Sequence, residues 1–461
     1  MADGFLLPEH PVASLDDYVA QGGGVGLSRA RTMSPGALVQ ELQLSRLRGR
    51  GGAGFPTGTK WASVLFADAG TRYAVCNAAE GEPGTFKDRA LMRANPYVVL
   101  EGLLIAAGTV DAEAAYLATK ASFERERVRL AQALTEISDA GWVDRPVHLV
   151  TGPEEYLFGE EKALLEVIEG NDPLPRWMPP YLHGLFATAP QLGWEASTPG
   201  PGEPAATAEE AANPTLVNNV ETLANVAHIC AKGPEWFRAI GTERSPGTVC
   251  CTVVGDVRYA DVIEVEFGTP LSAVLEAAGG ALPGRSFQAV ISGVSNPVVT
   301  ADQLDTPLSY EDFEAIGSGL GSAGFIVYDD STCMVEVAAM LSRFLWVESC
   351  GQCPPCKLGT GAITAALERI AGGSGGDRDL DIIAERLRVV ADGNRCYLPV
   401  EEQRVVASLL RDFPDDFAAH IETGRCPRPR TLPVPKIVDI TDGDVTYDTQ
   451  QPRKRPDWTY E

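Results

Sequence analysis

Histidine is scarce in this chain: His10, His148, His183, His228 and His420 are the five in 461 residues. That supply suggests no serine–histidine–aspartate set. Positive charge is also short. Lysine and arginine number 38 against 63 acidic residues, for a formal net charge of -25. No nucleic-acid partner is expected, since phosphate binding wants a basic face. A generally anionic surface is the plain reading of the charge. No apolar run approaches the ~20 residues that span a bilayer, so direct membrane insertion is not expected. The opening MADGFLLPEHPVASL has neither a basic stretch nor a long apolar core, and no secretory signal is expected. The expectation is a cytoplasmic protein, with any association at the inner face of a membrane made through partner subunits. Internal repeats are absent.

What is present is an ordinary globular balance, 44% hydrophobic and 22% charged residues, in a length that suggests roughly two to four domains. There are also 10 cysteines. In a reducing compartment disulfides are disfavoured, so a tight cysteine cluster points to metal or catalysis, and scattered cysteines to inert buried thiols.

Along the chain, SPGALVQELQLSRL (34–47) reads as a helix with Ser34 as N-cap and Pro35 at its first position. A glycine-rich loop follows, GRGGAGFPTGTKW (49–61). RYAVCNAA (72–79), AAYLATKA (114–121) and RPVHLVTG (145–152) read as strands. The stretches 124–140 and PEEYLFGEEKALLEVIEG (153–170) read as helices, the first with Val128, Leu130, Leu134 and Ile137 as its apolar residues. This alternation predicts a parallel α/β layer. WEASTPGPGEPAATAEEAAN (194–213) reads as an exposed, mobile loop, and NPTLVNNVETLANVAHI restarts order. From about Ser245 the pattern becomes strand, strand, helix, strand, a small α+β unit ending near Tyr328, with Thr269 and Pro270 starting its helix. A helical domain of roughly four helices follows, with a bundle as the expected packing. The proline-rich tail after Cys426 reads as extended.

Cys350, Cys353 and Cys356 form C-x2-C-x2-C, and Cys396 lies further on in a predicted inter-helix loop, GNRCYLPVEE. Three thiolates at that spacing can wrap three corners of a cubane and a distant cysteine can close the fourth, the Cys₄ set of a [4Fe–4S] cluster. A structural zinc site is the competing reading, although zinc prefers two separated C-x2-C pairs. The cluster would sit at the start of a helix near Leu358, whose amide end favours an anionic centre.

Two G-x-G-x-x-G strings occur, at Gly49, Gly51 and Gly54 and at Gly319, Gly321 and Gly324. Neither sits in the strand–turn–helix setting of a dinucleotide turn. The second reads as an inter-domain turn. The first combines bare amides with a basic pair, Arg50 and Lys60, which suits a phosphate, and two aromatics, Phe55 and Trp61, that could flank a planar ring. Read singly, Glu80 and Glu82 could be solvated turn acids, Tyr156 ordinary core, and Asn218 and Asn219 a helix cap.

Taken in order, GRGGAGFPTGTKW, CNAAEGEPGTFKDR, YLFGEEKALLE, NNVETLANV and ESCGQCPPC resemble the NADH-binding flavoprotein subunit of respiratory complex I. The same subunit type is the diaphorase module of NAD-reducing hydrogenases and NAD-dependent formate dehydrogenases. The resemblance covers roughly Leu15 to Ile421. It implies an α/β FMN- and NAD-binding domain, then a ubiquitin-like α+β domain, then a C-terminal helical bundle carrying one [4Fe–4S] cluster. The boundaries expected are 1–240, 241–328 and 329–430, with an extended tail over 431–461. By motif match, Gly51, Gly52, Gly54, Phe55 and Lys60 would line the FMN and NAD(H) cavity. Asn77, Glu80 and Glu82 would approach flavin and nicotinamide. Tyr156, Gly159, Glu160 and Glu161 would form a second wall, and Asn218, Asn219 and Thr222 the flavin-phosphate side. Phe55 and Tyr181 would stack on the dinucleotide, while Glu82 and Glu161 would orient the reacting edges and carry the catalytic role. Cys350, Cys353, Cys356 and Cys396 would hold the cluster. NADH yields a hydride, the cluster takes single electrons, and FMN stands between them. Partner iron–sulfur subunits of a larger complex would receive the electrons.

The chain also departs from the family pattern. Ala79 stands for an Asp, Phe158 and Lys162 for a Cys and a Thr, Met178 for a Lys before Pro179, Pro180 and Tyr181, and Ser63 for an aromatic. The 194–213 loop looks inserted. Ala79, Met178 and Ser63 motivate an alternative, a degenerate member that has lost nicotinamide binding and serves as an electron-transfer or scaffolding subunit.

Overall fold

The computed structural model describes residues 5–189 and 211–460, so nearly all of the expected 194–213 loop lies outside the described residues. The chain divides into two compact units, Met1–Glu80 with Asp88–Gly247, and Gly81–Lys87 with Thr248–Glu461.

In the first unit the helix expected over 34–47 spans Pro35–Ser45, and the Ala37 amide donates to Ser34 Oγ at 3.3 Å. Four strands follow in the chain: β1 (Tyr73–Ala78), β2 (Ala114–Lys120), β3 (Val147–Gly152) and β4 (Thr215–Asn219). They form one all-parallel sheet in the order β3-β2-β1-β4. The inner strands are nearly continuous apolar runs because both faces are covered. Edge strand β3 leaves Leu149 37% exposed. The helix expected over 124–140 runs from Glu124 to Asp139; Leu130 and Ile137 are buried, but Val128 faces solvent.

Two further helices are Lys87–Ala94 and Pro96–Thr109, the second capped by Asn95, whose Oδ1 accepts the Val98 amide at 3.2 Å. The second has 13 of its 14 residues buried, so it carries no amphipathic stripe to detect. Gly102 lets it approach the helix Val220–Lys232, since a Cβ there would fall 2.0 Å from the Leu223 carbonyl oxygen. Its single acid, Glu101, accepts from Tyr18 Oη at 2.6 Å and from the Gly24 and Leu27 amides at 2.8 Å. Burial raises its pKa, and these donors partly offset that rise. Among the described residues no single helix is long and apolar enough to cross a membrane; the pair Lys87–Ala94 and Pro96–Thr109 passes only when joined across a 100° bend.

The second unit opens on a mixed sheet. Strands β5 (Thr248–Gly255), β6 (Asp261–Glu266), β7 (Phe287–Ser292), β8 (Val299–Thr300) and β9 (Gly324–Asp329) take the order β6-β5-β9-β7-β8. Only β5 and β9 pair in parallel. Leu271, Val274 and Leu275 from the helix Leu271–Ala277 join Val253, Val290 and Phe325 in its core. The second glycine string forms the turn into β9 within this unit, with Gly321 at φ 58.

Five helices follow: Met334–Glu348, Pro354–Ala371, Asp377–Val389, Leu398–Asp412 and Pro414–Thr423. The sequence suggests one continuous helix where the last two stand. Pro414 divides them, because proline has no N–H to continue the ladder.

The tail is not extended. Strands β10 (Ile437–Thr441) and β11 (Asp444–Tyr447) form an antiparallel hairpin. Asp442 and Gly443 turn it with φ 53 and 85, the Asp-Gly signature of a type I′ turn. Beyond the hairpin, Lys454 pairs with Glu348 at 3.0 Å, both side chains essentially inaccessible. The tail therefore folds back onto its own unit.

Candidate functional site

In an open parallel sheet, ligands favour the carboxyl ends of strands where the strand order reverses. Here that point lies between β1 and β4, with Cys76 opposite Asn218 and Asn77 opposite Asn219. Several of the sequence-predicted residues of the first unit lie beside it, whereas Tyr181 follows Pro180, whose carbonyl accepts the Thr215 amide at the opposite, amino end of β4.

Asn219 N-caps the following helix: its Oδ1 accepts from the Glu221 and Thr222 amides, and its Nδ2 donates to Asp88 Oδ2 at 2.6 Å. Thr222 Oγ1 accepts the Arg50 amide at 2.9 Å, which seats the glycine loop on this helix start. The loop is a narrow hairpin, bridged between Arg48 and Pro56. Gly52 and Gly54 have φ of 121 and 60, and a Cβ on Gly51 would meet Asn219 Cβ at 3.1 Å. Phe55 stands 53% exposed. Trp61 does not share that exposure. It is fully buried and donates from Nε1 to Asn218 Oδ1 at 2.8 Å. Arg50 is also a core residue, 2% exposed and 3.8 Å from Glu221, so the expected basic pair is reduced to Lys60.

On the opposite wall, Asn77 Nδ2 donates to the Gly159 carbonyl at 2.8 Å, and a Cβ at Gly159 would lie 3.1 Å from the Ala79 carbonyl. Tyr156 to Gly159 form a short 3-10 turn. Glu160 caps the helix Glu161–Ile168, accepting the Lys162 and Ala163 amides, and burial pushes its carboxyl up to about 7. Lys60 Nζ meets Glu161 Oε2 at 2.7 Å, joining the two walls. Tyr181 is 41% exposed. Glu80 takes a capping role: it accepts the Asp88 and Arg89 amides at 3.2 Å.

Glu82 is placed differently from the others. It lies in Gly81–Lys87, part of the second unit. Its Oε1 accepts from Ser295 Oγ at 2.7 Å and the Val294 amide at 3.1 Å, and its Oε2 from Ser322 Oγ at 2.7 Å. Both carboxylates expected to act catalytically, Glu82 and Glu161, are thus engaged by protein partners.

In the second unit, Cys350, Cys353, Cys356 and Cys396 line one cavity. Cys353 N-caps the helix Pro354–Ala371, with Pro354 and Pro355 at its start. Burial and the neighbouring sulfurs push the Cys356 thiol up to about 12, a cost that a cationic centre would offset. Among the described residues only Cys333, His420 and Cys426 gather ligand atoms within 4.8 Å. The four cavity cysteines stand wider, which suits a cubane better than a single ion. Two residues beside them were missed. Lys357 Nζ donates to the Trp346, Ser349 and Pro456 carbonyls at 3.2, 2.7 and 2.5 Å. Asn394 Nδ2 holds the Cys396 carbonyl at 2.7 Å. Their adjacency to the cysteines was the available signal.

The residues fit the groups expected. The glycine hairpin presents amides and side-chain-free positions at a strand switch point, and Thr57 Oγ1 beside it is buried with no hydrogen-bond partner. The four-thiol cavity supplies a complete Cys₄ donor set.

Comparison with known proteins agrees. Residues 42–228 match the Nuo51 FMN-binding domain, and residues 336–420 match the NADH-ubiquinone oxidoreductase-F iron–sulfur binding region. The chain is 39% identical to an F-type NADH-quinone oxidoreductase subunit of Rhizobium meliloti, over 90% of this chain and 96% of that one. It is 34% identical to the HndC component of the NADP-reducing hydrogenase of Solidesulfovibrio fructosivorans, over 92% and 83%. A chain of an NAD+-reducing [NiFe]-hydrogenase in its H2-reduced state superposes with a TM-score of 0.76 at 31% identity, covering 89% of this chain and 67% of that one. The chain belongs to the family of F-type NADH-quinone oxidoreductase subunits, built from a Nuo51 FMN-binding domain and an iron–sulfur binding region.

Proposed function

We propose that this chain is the NADH dehydrogenase (diaphorase) subunit of a multisubunit oxidoreductase of the complex I, hydrogenase or formate dehydrogenase type. It exchanges a hydride between NAD(H) and FMN and passes single electrons through one [4Fe–4S] cluster to partner iron–sulfur subunits. The observation that carries this reading is the joint presence of the glycine hairpin at the β1/β4 switch point and a four-cysteine cavity in one chain.

Bound FMN supplies the conversion between two-electron and one-electron chemistry. The protein's own residues bind and orient. Amides of Gly51, Gly52 and Gly54 would hold phosphate, with Asn218, Asn219 and Thr222 shaping the phosphate side. Phe55 and Tyr181 would stack on planar rings. Asn77 fixes the Gly159 carbonyl and so the second wall. Lys60 would release Glu161 to meet an incoming anion, leaving that carboxylate to orient the nicotinamide. Glu80 holds the β1 loop against the Lys87–Ala94 helix, and Glu82 acts through its serine partners. Cys350, Cys353, Cys356 and Cys396 would ligate the cluster.

The finer architecture belongs to the same proposal: an FMN/NAD domain over 1–240, a ubiquitin-like domain over 241–328, a helical bundle over 329–430 and a tail over 431–461. The mixed β6-β5-β9-β7-β8 sheet with the Leu271–Ala277 helix packed on it supports the ubiquitin-like reading. A cytoplasmic location is proposed with it. The test is titration of the anaerobic holoprotein with NADH while the flavin absorbance is followed. Bleaching is expected, together with reduction of an artificial acceptor. Bound flavin that NADH and NADPH both fail to bleach would refute this reading and favour the scaffolding alternative.

A further inference from the structure

Outside the four-cysteine cavity, the second unit buries another thiol-rich cluster. Cys333 Sγ lies 3.2 Å from His420 Nε2, and the ligand atoms of Cys333, His420 and Cys426 all fall within 4.8 Å of one another. Cys333 and His420 are each about 1% exposed, while Cys426 is half-buried.

The histidine's tautomer is set. Its Nδ1 lies 3.1 Å from the Ile370 carbonyl oxygen, which can only accept. Nδ1 therefore carries the proton, and Nε2 turns its lone pair toward the two sulfurs. A ring nitrogen donating to a backbone carbonyl is the arrangement that orients metal-bound histidines. Cys333 is the N-cap of the helix Met334–Glu348, which fixes the sulfur at the helix start. The third ligand is also held. Arg428, two residues past Cys426, pairs with Asp416, and Asp416 accepts the Met334 amide. One carboxylate thus ties the segment carrying Cys426 to the helix start beside Cys333.

We propose that Cys333, His420 and Cys426 bind one zinc ion, separate from the iron–sulfur cluster. Two thiolates and an imidazole suit zinc, whose bonds of about 2.3 Å to sulfur and 2.0–2.1 Å to nitrogen place tetrahedral ligands roughly 3.5–3.8 Å apart. The ligand atoms, all within 4.8 Å of one another, need shifts of at most about 1.3 Å to reach that. Zinc takes a fourth ligand, which water or the half-buried Glu336 carboxylate, three residues after Cys333, would supply. The ion would clamp the start of one helix to the end of another, 87 residues away, and to the segment just beyond it. Its role is structural, with no electron carried.

The test is metal analysis of the holoprotein, produced in zinc-containing medium and desalted. About one zinc per chain is expected besides the cluster iron, with X-ray absorption showing two sulfurs and at least one nitrogen around it. Cys426→Ser and His420→Ala should each lower zinc at least tenfold while leaving flavin and iron content near wild type. Should both variants fail to fold, the wild-type absorption spectrum still decides, because it reads the ligand set directly. Absence of zinc beside a full iron complement would overturn the proposal. So would a zinc shell of four sulfurs, a Cys333–Cys426 disulfide in the peptide map, or zinc retained in both variants.

Discussion

Lys454→Met probes the fold-back of the tail most directly. Glu348 ends the helix that leads into the cysteine loop, two residues before Cys350. Lys454 Nζ lies 3.0 Å from each Glu348 oxygen, and Gln451 Nε2 donates to Oε1 at 2.8 Å. Both charges are essentially inaccessible, with side-chain exposures of 0% and 1%. Removing one partner of such a pair strands a buried charge and costs about 3–5 kcal/mol. In a unit of this size each kcal/mol moves the midpoint by roughly 2–4 °C, so a fall of roughly 6–20 °C is expected. Loss of iron on heating should follow at the same temperature, since the cysteine loop begins where this pair sits. Differential scanning calorimetry with iron-release monitoring reads both. Pairing Lys454→Met with Glu348→Leu removes the stranded charge and should restore at least half of the loss. A single variant costing under about 1 kcal/mol would refute this account, as would a double variant no more stable than the single one.

Three further outcomes are expected. Gly51→Ala adds a Cβ 3.1 Å from Asn219 Cβ in the loop seated on the Val220–Lys232 helix, so the flavin-to-protein ratio should fall several-fold with iron unchanged; equal flavin content would remove the loop from the flavin site. Glu160 has its carboxyl raised to about 7 by burial. Its contribution to stability is full below the ordinary value near 4.5 and is lost as pH rises through about 7. Glu160→Gln should flatten that part of the stability profile, and an unchanged profile in denaturant titrations at pH 5 and pH 8 would count against it. Cys396→Ser should strip iron and acid-labile sulfide while FMN is retained; full iron content would show that another residue completes the cluster.

Much of the first unit was legible because its signals are local. Ser34 and Pro35 supply a helix cap and first turn that need no distant partner, and the apolar runs of β1 and β2 read as inner parallel strands. The helix Pro96–Thr109 escaped because it is apolar on every side. The hairpin β10–β11 escaped although Asp442 and Gly443 stand between alternating strands; proline-rich surroundings masked it.

The chain by itself determined the spacing Cys350, Cys353, Cys356 and the order of the glycine loop, strands and helices, because neighbouring residues and backbone periodicity settle these. Tertiary packing alone decided which polar group meets which. It buried Arg50 against Glu221 and Trp61 against Asn218, gave Glu82 to Ser295 and Ser322, and brought Cys333 to His420, 87 residues away. Such pairs form where distant segments close on each other out of water, and an unmatched donor or charge there is costly. No local pattern records that constraint.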